Sequence, residues 1–305
     1  MKSLMQRRKF LQAAGAATLG GAGLALAERA PAESAPASSA TSPRLLAGCC
    51  GYSYRKYLQH GPMTMEDFIL KGVEMGLNGV DMTAYYFKST DPAYLSSLRH
   101  LAYKNGMPFS GVGCGSSMVQ ADAAKRAAVL EDIKKWVDAT DALGAPHLRI
   151  FGGKLPSGAT HDQGIQWIVE TMKPACDYSG KKGITLGIED HSGITQSADV
   201  CLDIMRRVDS PYAGINLDIT HFVPTPGQDA YAQIEACIPY ATHTHIREVF
   251  DDQQPIDMDR VWQMFAKAGY KGYMSAEYEG KEDPMTGIPK LIQRIKALDK
   301  NYSSV

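Results

Sequence analysis

From residue 44 onward the chain alternates short apolar runs with longer segments whose apolar positions recur at helical spacing. Leu45-Leu46-Ala47-Gly48-Cys49-Cys50, closed by Gly51, reads as a first strand, and Met65 to Met75 as the helix that follows. Gly79-Val80-Asp81-Met82-Thr83 comes after a Gly76-Leu77-Asn78 stop and predicts strand two. Asp91 to Asn105 predicts a helix with an Asp-Pro start and Gly106 as its stop. Phe109-Ser110-Gly111-Val112-Gly113 is strand three, and Asp122 to Leu143 is a long amphipathic helix ended by Gly144. His147-Leu148-Arg149-Ile150-Phe151 is strand four, with Gly152-Gly153-Lys154 as the loop after it.

The second half keeps the rhythm. Helices are predicted over 161–178, 197–208, 231–237, 257–268 and 288–299. Strands five to eight are predicted over 183–188, 213–217, 241–246 and 272–276. Eight strand-helix units make a single (β/α)₈ barrel the economical α/β architecture. A doubly wound open sheet is the alternative, but no Gly-rich phosphate fingerprint follows the first strand.

The first residues follow another pattern. Arg7-Arg8-Lys9-Phe10-Leu11 is a twin-arginine motif, followed by a weakly hydrophobic Ala/Gly/Leu run from Ala13 and closed by Ala25-Leu26-Ala27, a small-x-small cleavage signal. Residues 1–27 therefore read as a twin-arginine signal peptide and 28–43, rich in Ala, Pro and Ser, as a disordered spacer. Residues 44–300 form the barrel. These features place the mature protein in the periplasm or outside the cell, with the twin-arginine export machinery as a partner. The run is too short and too rich in Gly and Ala for a stable membrane anchor. Of 32 Lys and Arg, four fall in the signal, which leaves 28 against 33 Asp and Glu. A mildly acidic body argues against nucleic acid as a partner.

Six cysteines, at 49, 50, 114, 176, 201 and 237, show neither zinc-finger nor C-x-x-C spacing. They read mostly as small buried residues. Export would also permit a Cys176–Cys201 or Cys201–Cys237 bridge.

The chemistry concentrates in four segments: Gly187-Ile188-Glu189-Asp190-His191, Asn216-Leu217-Asp218-Ile219-Thr220-His221, Thr242-His243-Thr244-His245-Ile246-Arg247-Glu248 and Ser275-Ala276-Glu277-Tyr278-Glu279. They recur about every 30 residues, the length of one strand-plus-helix unit. The C-terminal ends of barrel strands converge on one mouth, so these segments bring carboxylates and an imidazole around a point, the donor set of a divalent-metal site. Taken alone, a carboxylate at a strand end is more often a helix cap and a strand histidine more often a core residue. Four on consecutive strands reverse that weighting. His243 and His245 share a strand face, and Glu277 and Glu279 pose the same choice.

On these motifs the body, over nearly all of 44–300, resembles the xylose isomerase-like TIM barrel superfamily, also called the sugar phosphate isomerase/epimerase family. The resemblance implies metal ligands Glu189, Asp218, His245 and Glu277. It prefers His245 over His243 by its place before the x-Arg-acid piece, and Glu277 over Glu279 by its nearness to the strand. It also sets His221 beside the substrate rather than on the metal. One divalent ion is expected, Mn²⁺ first, with Mg²⁺, Co²⁺ or Zn²⁺ as alternatives. Family members often pair, so a homodimer is the implied assembly. The DNA-repair branch of endonuclease IV type needs further histidines and an Asp-x-His, and here those places carry Thr83-Ala84-Tyr85, Gly113-Cys114-Gly115 and Asp257-Met258-Asp259.

The expected activity is isomerisation or epimerisation of a free sugar or keto-sugar by proton transfer through an enediolate. Glu189 and Glu277 are the expected proton carriers. Arg247, Lys154 and His191 are candidates to orient substrate oxygens, and Tyr52, Tyr54, Tyr85, Tyr86 and Phe87 to floor the site or pack the barrel top. A metal-dependent lyase or hydratase acting on a keto-sugar or keto-inositol is the runner-up, and a non-catalytic sugar-binding barrel a third reading.

Overall fold

The computed structural model describes residues 42–224 and 227–303. The expected signal peptide, and the expected spacer up to residue 41, lie outside the described residues. Eight parallel strands close into one barrel in sequence order. They are β1 Arg44–Cys50, β2 Gly79–Thr83, β3 Phe109–Ser117, β4 His147–Phe151, β5 Thr185–Glu189, β6 Ala213–Asp218, β7 Ala241–Ile246 and β8 Lys271–Ala276. A short helical turn, α1 Arg55–Leu58, precedes the helices α2 Met65–Glu74, α3 Pro92–Lys104, α4 Ala123–Leu143, α5 His161–Gly180, α6 Ala198–Val208, α7 Ala230–Cys237, α8 Met258–Lys267 and α9 Pro284–Tyr302. The predicted (β/α)₈ order is the observed one.

Local chemistry sets the boundaries. Thr64 and Asp67 form a reciprocal capping box at the start of α2, and Thr160 and Gln163 do the same for α5. The last helix begins at Pro284, earlier than the sequence pattern suggested, because Asp283 caps it by accepting from Met285 N and Pro284 fits the first turn. β5 starts at Thr185 and not at Gly183, whose φ of 70° turns the chain out of α5 and cannot belong to a strand. β3 runs beyond the predicted Gly113 to Ser117.

β1 closes the barrel by pairing with β8 from Arg44↔Lys271 to Cys49↔Ala276. The seam is tied further by Leu45 N, which donates to Ser303 Oγ at 2.8 Å. The apolar core lies between the strands and the helices, with Phe68, Leu98, Ile133, Trp262 and Phe265 fully buried. Along β4, Leu148 and Ile150 belong to that layer, while His147 and Arg149 turn into the barrel. Gly187 on β5 is required by this arrangement, because a Cβ there would collide with the His147 ring. All six cysteines are buried and unpaired, so neither of the two bridges that export would permit is formed. Among the described residues, no helix is long and apolar enough to cross a membrane.

One polar contact inside the helical layer has a measurable consequence. Trp262 Nε1 of α8 donates to Asp299 Oδ1 of α9 at 2.8 Å, and Asp299 Oδ2 has no partner. Burial pushes this carboxyl up to about 7, with the indole hydrogen bond opposing it. A carboxyl that holds its proton more tightly in the folded than in the unfolded chain lowers stability as pH rises from about 4 to about 7. Asp299→Asn keeps the acceptor and removes the charge. It should raise stability at pH 8, by on the order of 1–2 kcal/mol, and the gain should shrink toward pH 4. Thermal melts at pH 8 and pH 4.5 check this, and an equal gain at both would trace the effect to packing.

Candidate active and metal-binding site

Inward-facing positions two apart on neighbouring strands build the site. Deeper in the barrel lie His147, Gly187, Asn216, His243 and Ser275, and one step nearer the mouth come Arg149, Glu189, Asp218, His245 and Glu277. Glu189, Asp218, His245 and Glu277 each offer one ligand atom, and these four atoms lie within 4.8 Å of one another. All four residues are buried.

The cluster is held from several sides. Arg149 Nε lies 3.0 Å from Glu189 Oε2, an ion pair without hydrogen-bond alignment, so that oxygen has no aligned donor. Arg149 Nη1 donates to Cys114 O at 2.9 Å and to the Tyr85 hydroxyl at 3.2 Å, which fixes the guanidinium. Asp218 Oδ1 accepts from Thr220 N at 2.9 Å, while Arg247 Nη2 donates to Asp218 Oδ2 at 3.1 Å. The Asp218 backbone N–H is taken by Asp190 Oδ1 at 2.7 Å. His245 Nδ1 faces Glu189 Oε1 at 3.1 Å and Glu277 Oε1 at 3.6 Å, and its Nε2 meets Asp81 Oδ2 at 2.9 Å.

Charge is unevenly compensated. Burial would raise Glu189, but Arg149 and His245 outweigh it and hold the carboxyl below its ordinary range. Burial likewise opposes the ionisation of Asp218, yet Arg247, His221 and His245 keep it low. Glu277 has no arginine paired with it among the described residues. Burial pushes it up to about 7, His245 pulls against this, and the Glu189 and Asp218 charges push with it. Burial disfavours the charged imidazole of His245, but the surrounding carboxylates raise it well above its ordinary range.

Above the cluster opens a cavity of about 440 Å³ lined by Glu189, Glu277, Arg149, His191, His221 and Arg247, with Tyr52, Tyr85, Phe151 and Glu279 completing its wall. His221 Nδ1 is held by Asp251 Oδ2 at 2.8 Å, and its ring stands edge-on to that of His191 with centroids 4.5 Å apart. Of the residues singled out in the sequence, Glu189, Glu277, His191, His221 and Arg247 thus share one chamber, with Asp218 and His245 buried at its base. Lys154 does not join them: it is exposed and absent from the cavity wall, and Arg149 supplies the cation on that side. Tyr54 packs against Phe68 in the core. The sequence reading missed Asp81 and Arg149. Each is the one charged residue in a five-residue strand otherwise free of Asp, Glu, Lys and Arg, and a charge in a strand covered on both faces is itself a signal.

Residues 70–298 match the xylose isomerase-like TIM barrel family. The chain belongs to that family. Among its relatives, the 2-oxo-tetronate isomerase of Haemophilus influenzae is 25% identical over 167 residues, 52% of this chain and 64% of that protein. The structure of D-allulose 3-epimerase from a Methylomonas species superposes with a TM-score of 0.65 at 16% identity, covering 86% of this chain and 99% of that one. The 3-keto-D-glucoside 4-epimerase of E. coli gives a TM-score of 0.65 at 14% identity, covering 84% and 99%. At these identities the structural likeness is one of fold.

The donor set of this xylose isomerase-like barrel fits a divalent ion. Three carboxylates and one imidazole form an oxygen-rich set suited to a hard or borderline cation. The facing atoms Glu189 Oε1, Glu277 Oε1 and His245 Nδ1, together with the undercompensated charge at Glu277, are the features that a dication would satisfy.

The Arg149–Glu189 pair also gives a test of the site's construction. Breaking a buried pair leaves an uncompensated charge, whereas removing both partners does not. Arg149→Met should cost about 3 kcal/mol of stability in urea denaturation. Adding Glu189→Gln should recover a large part of that loss. A double variant no more stable than Arg149→Met would show that the guanidinium acts through its Cys114 and Tyr85 contacts instead.

Proposed function

We propose that the protein is a divalent-metal-dependent sugar isomerase or epimerase acting on a free sugar or keto-sugar. The observation that carries this reading is the convergence of four buried ligand atoms within 4.8 Å beneath a cavity of about 440 Å³ lined by charged and aromatic side chains. Membership of the xylose isomerase-like family and the isomerase and epimerase names of the relatives support it. Glu189, Asp218, His245 and Glu277 would hold the ion. When bound, a divalent ion supplies Lewis-acid polarisation of a substrate carbonyl, which makes the neighbouring C–H more acidic.

The protein's own groups do the rest. Glu189 and Glu277 enter from β5 and β8 and flank the space between them, so one can take a proton from the carbon beside the carbonyl and the other return one. Arg149 holds Glu189 ionised. His191, His221 and Arg247 offer donors and acceptors for sugar hydroxyls along the wall, and Tyr52, Tyr85 and Phe151 offer ring faces to C–H groups. His221 is braced by Asp251 and reaches into the cavity, as a residue that orients a substrate oxygen should.

Metal analysis and isotope exchange test the reading together. The protein should carry one Mn²⁺ or similar ion per chain, and Asp218→Ala should lose it. Incubated with ketoses or 3-keto-sugars in D₂O, the loaded protein should place deuterium beside the carbonyl, and Glu277→Gln should lower that incorporation by about 10²-fold or more. A full metal complement in Asp218→Ala would refute the ligand set. Product formed with complete retention of the substrate hydrogen would refute proton exchange. An eliminated or hydrated product would move the assignment to the lyase reading.

We further propose export through the twin-arginine route, supported by Arg7-Arg8 and Ala25-Leu26-Ala27. Changing both arginines to lysine should leave unprocessed protein in the cytoplasm on fractionation, and unchanged export would refute the assignment.

A further inference from the structure

Asp81 stands in the middle of β2, paired in register with Cys50 on β1 and Gly111 on β3, and is 2% exposed. A charged side chain so placed needs a specific partner. Its partner is His245, across the barrel interior, with Asp81 Oδ2 2.9 Å from His245 Nε2. We propose that Asp81 is a positioning residue that fixes the tautomer and the ring orientation of His245, so that Nδ1 is presented as a lone-pair donor to a metal ion. The proposal rests on the metal reading above.

An ionised carboxylate only accepts, so the nitrogen facing Asp81 must carry the hydrogen. The crowding carboxylates favour a second hydrogen on the ring, which a metal ion must displace; in the neutral imidazole that then binds, the other nitrogen carries the lone pair. That nitrogen, Nδ1, points at Glu189 Oε1 and Glu277 Oε1, which when ionised cannot satisfy a lone pair, and its one nearby donor is the Asn216 amide nitrogen in a long 3.4 Å contact. A cation among the three satisfies all of them. Without Asp81, the hydrogen is free to move to Nδ1 and donate to Glu189 Oε1 at 3.1 Å, a self-contained arrangement that competes with metal binding. Asp81 thus selects the tautomer that can accept a cation at Nδ1. Carboxylate partners of ligating histidines act in this way in metal sites generally.

Cys50 is the competing explanation for Asp81. Its thiol, Asp81 and His245 also bring ligand atoms within 4.8 Å of one another, a second set that could hold an ion. The side chains distinguish the two roles, because a ligand set fails when any member is lost, whereas an orienting carboxylate acts alone.

The test measures Mn²⁺ affinity of the full-length protein by calorimetry, with Co²⁺ absorption as the spectroscopic readout. Asp81→Ala should weaken Mn²⁺ binding about 10- to 100-fold and shift the Co²⁺ bands. Asp81→Asn, whose amide oxygen still accepts from Nε2, should weaken it about 3- to 10-fold. Cys50→Ser should stay within about twofold of the parent. Melting temperatures in excess chelator separate orientation from folding, and if Asp81→Ala does not fold, Asp81→Asn decides. Parent-like affinity in either Asp81 variant overturns the proposal, as does Asp81→Asn binding no better than a folded Asp81→Ala. A Cys50→Ser loss as large as that of Asp81→Ala overturns it in favour of a thiolate-containing site. If the unsubstituted protein takes up no divalent ion, the metal reading itself fails and the proposal with it.

Discussion

Four carboxylates press on one imidazole at the mouth of this barrel, and most of the architecture around the site answers that crowding. Parallel strands deliver their C-terminal ends to a single opening, so acids placed at the ends of β5, β6 and β8 must meet. Like charges at such distances in a buried setting are costly unless countered. Two guanidiniums answer part of the charge, Arg149 at Glu189 and Arg247 at Asp218. His245 faces the remainder from both of its ring nitrogens, Asp81 at Nε2 and Glu277 at Nδ1. What is left over gathers on Glu277, the acid without an arginine of its own.

The interior beneath the site is polar as well. His243 has no hydrogen-bond partner on either ring nitrogen, and Asn216 Oδ1 and Ser275 Oγ are also unpaired. A barrel filled by branched aliphatic residues would be more stable than one carrying these groups. The apolar layer between strands and helices, with Trp262, Phe265, Phe68 and Ile133 at full burial, offsets that cost from outside the barrel. Structural stability and site chemistry are therefore carried by opposite faces of the same strands.

Much of this was legible from the sequence because short apolar runs and helical spacing alternated through every unit of the barrel. The acids at the strand ends were legible because each closes an apolar run. Asp81 was not, because its partner lies on the far side of a closed barrel and nothing local in β2 points to β7. Arg149 was masked by its neighbour Lys154, whose loop position after a strand resembled a binding residue but whose side chain is exposed. The choice between His243 and His245 had no answer in periodicity, since both face inward. Contacts separate them: His245 meets the carboxylates, while His243 stacks on His147 and Tyr273. The aromatic residues after β1 and β2 divided for a similar reason, Tyr52 and Tyr85 reaching the cavity and Tyr54 turning into the core.

The glycine at 187 leaves a mark on how this barrel can diverge. Its missing side chain is the space occupied by the His147 ring, which in turn stacks on His243. A lineage that acquires any side chain at 187 must first shrink or reorient residue 147, and a lineage that gives up His147 opens a void that a larger residue at 187 can fill. The two positions sit on different strands and are far apart in the chain, yet selection has to treat them as one character. Drift at this depth of the barrel is then expected in compensated pairs.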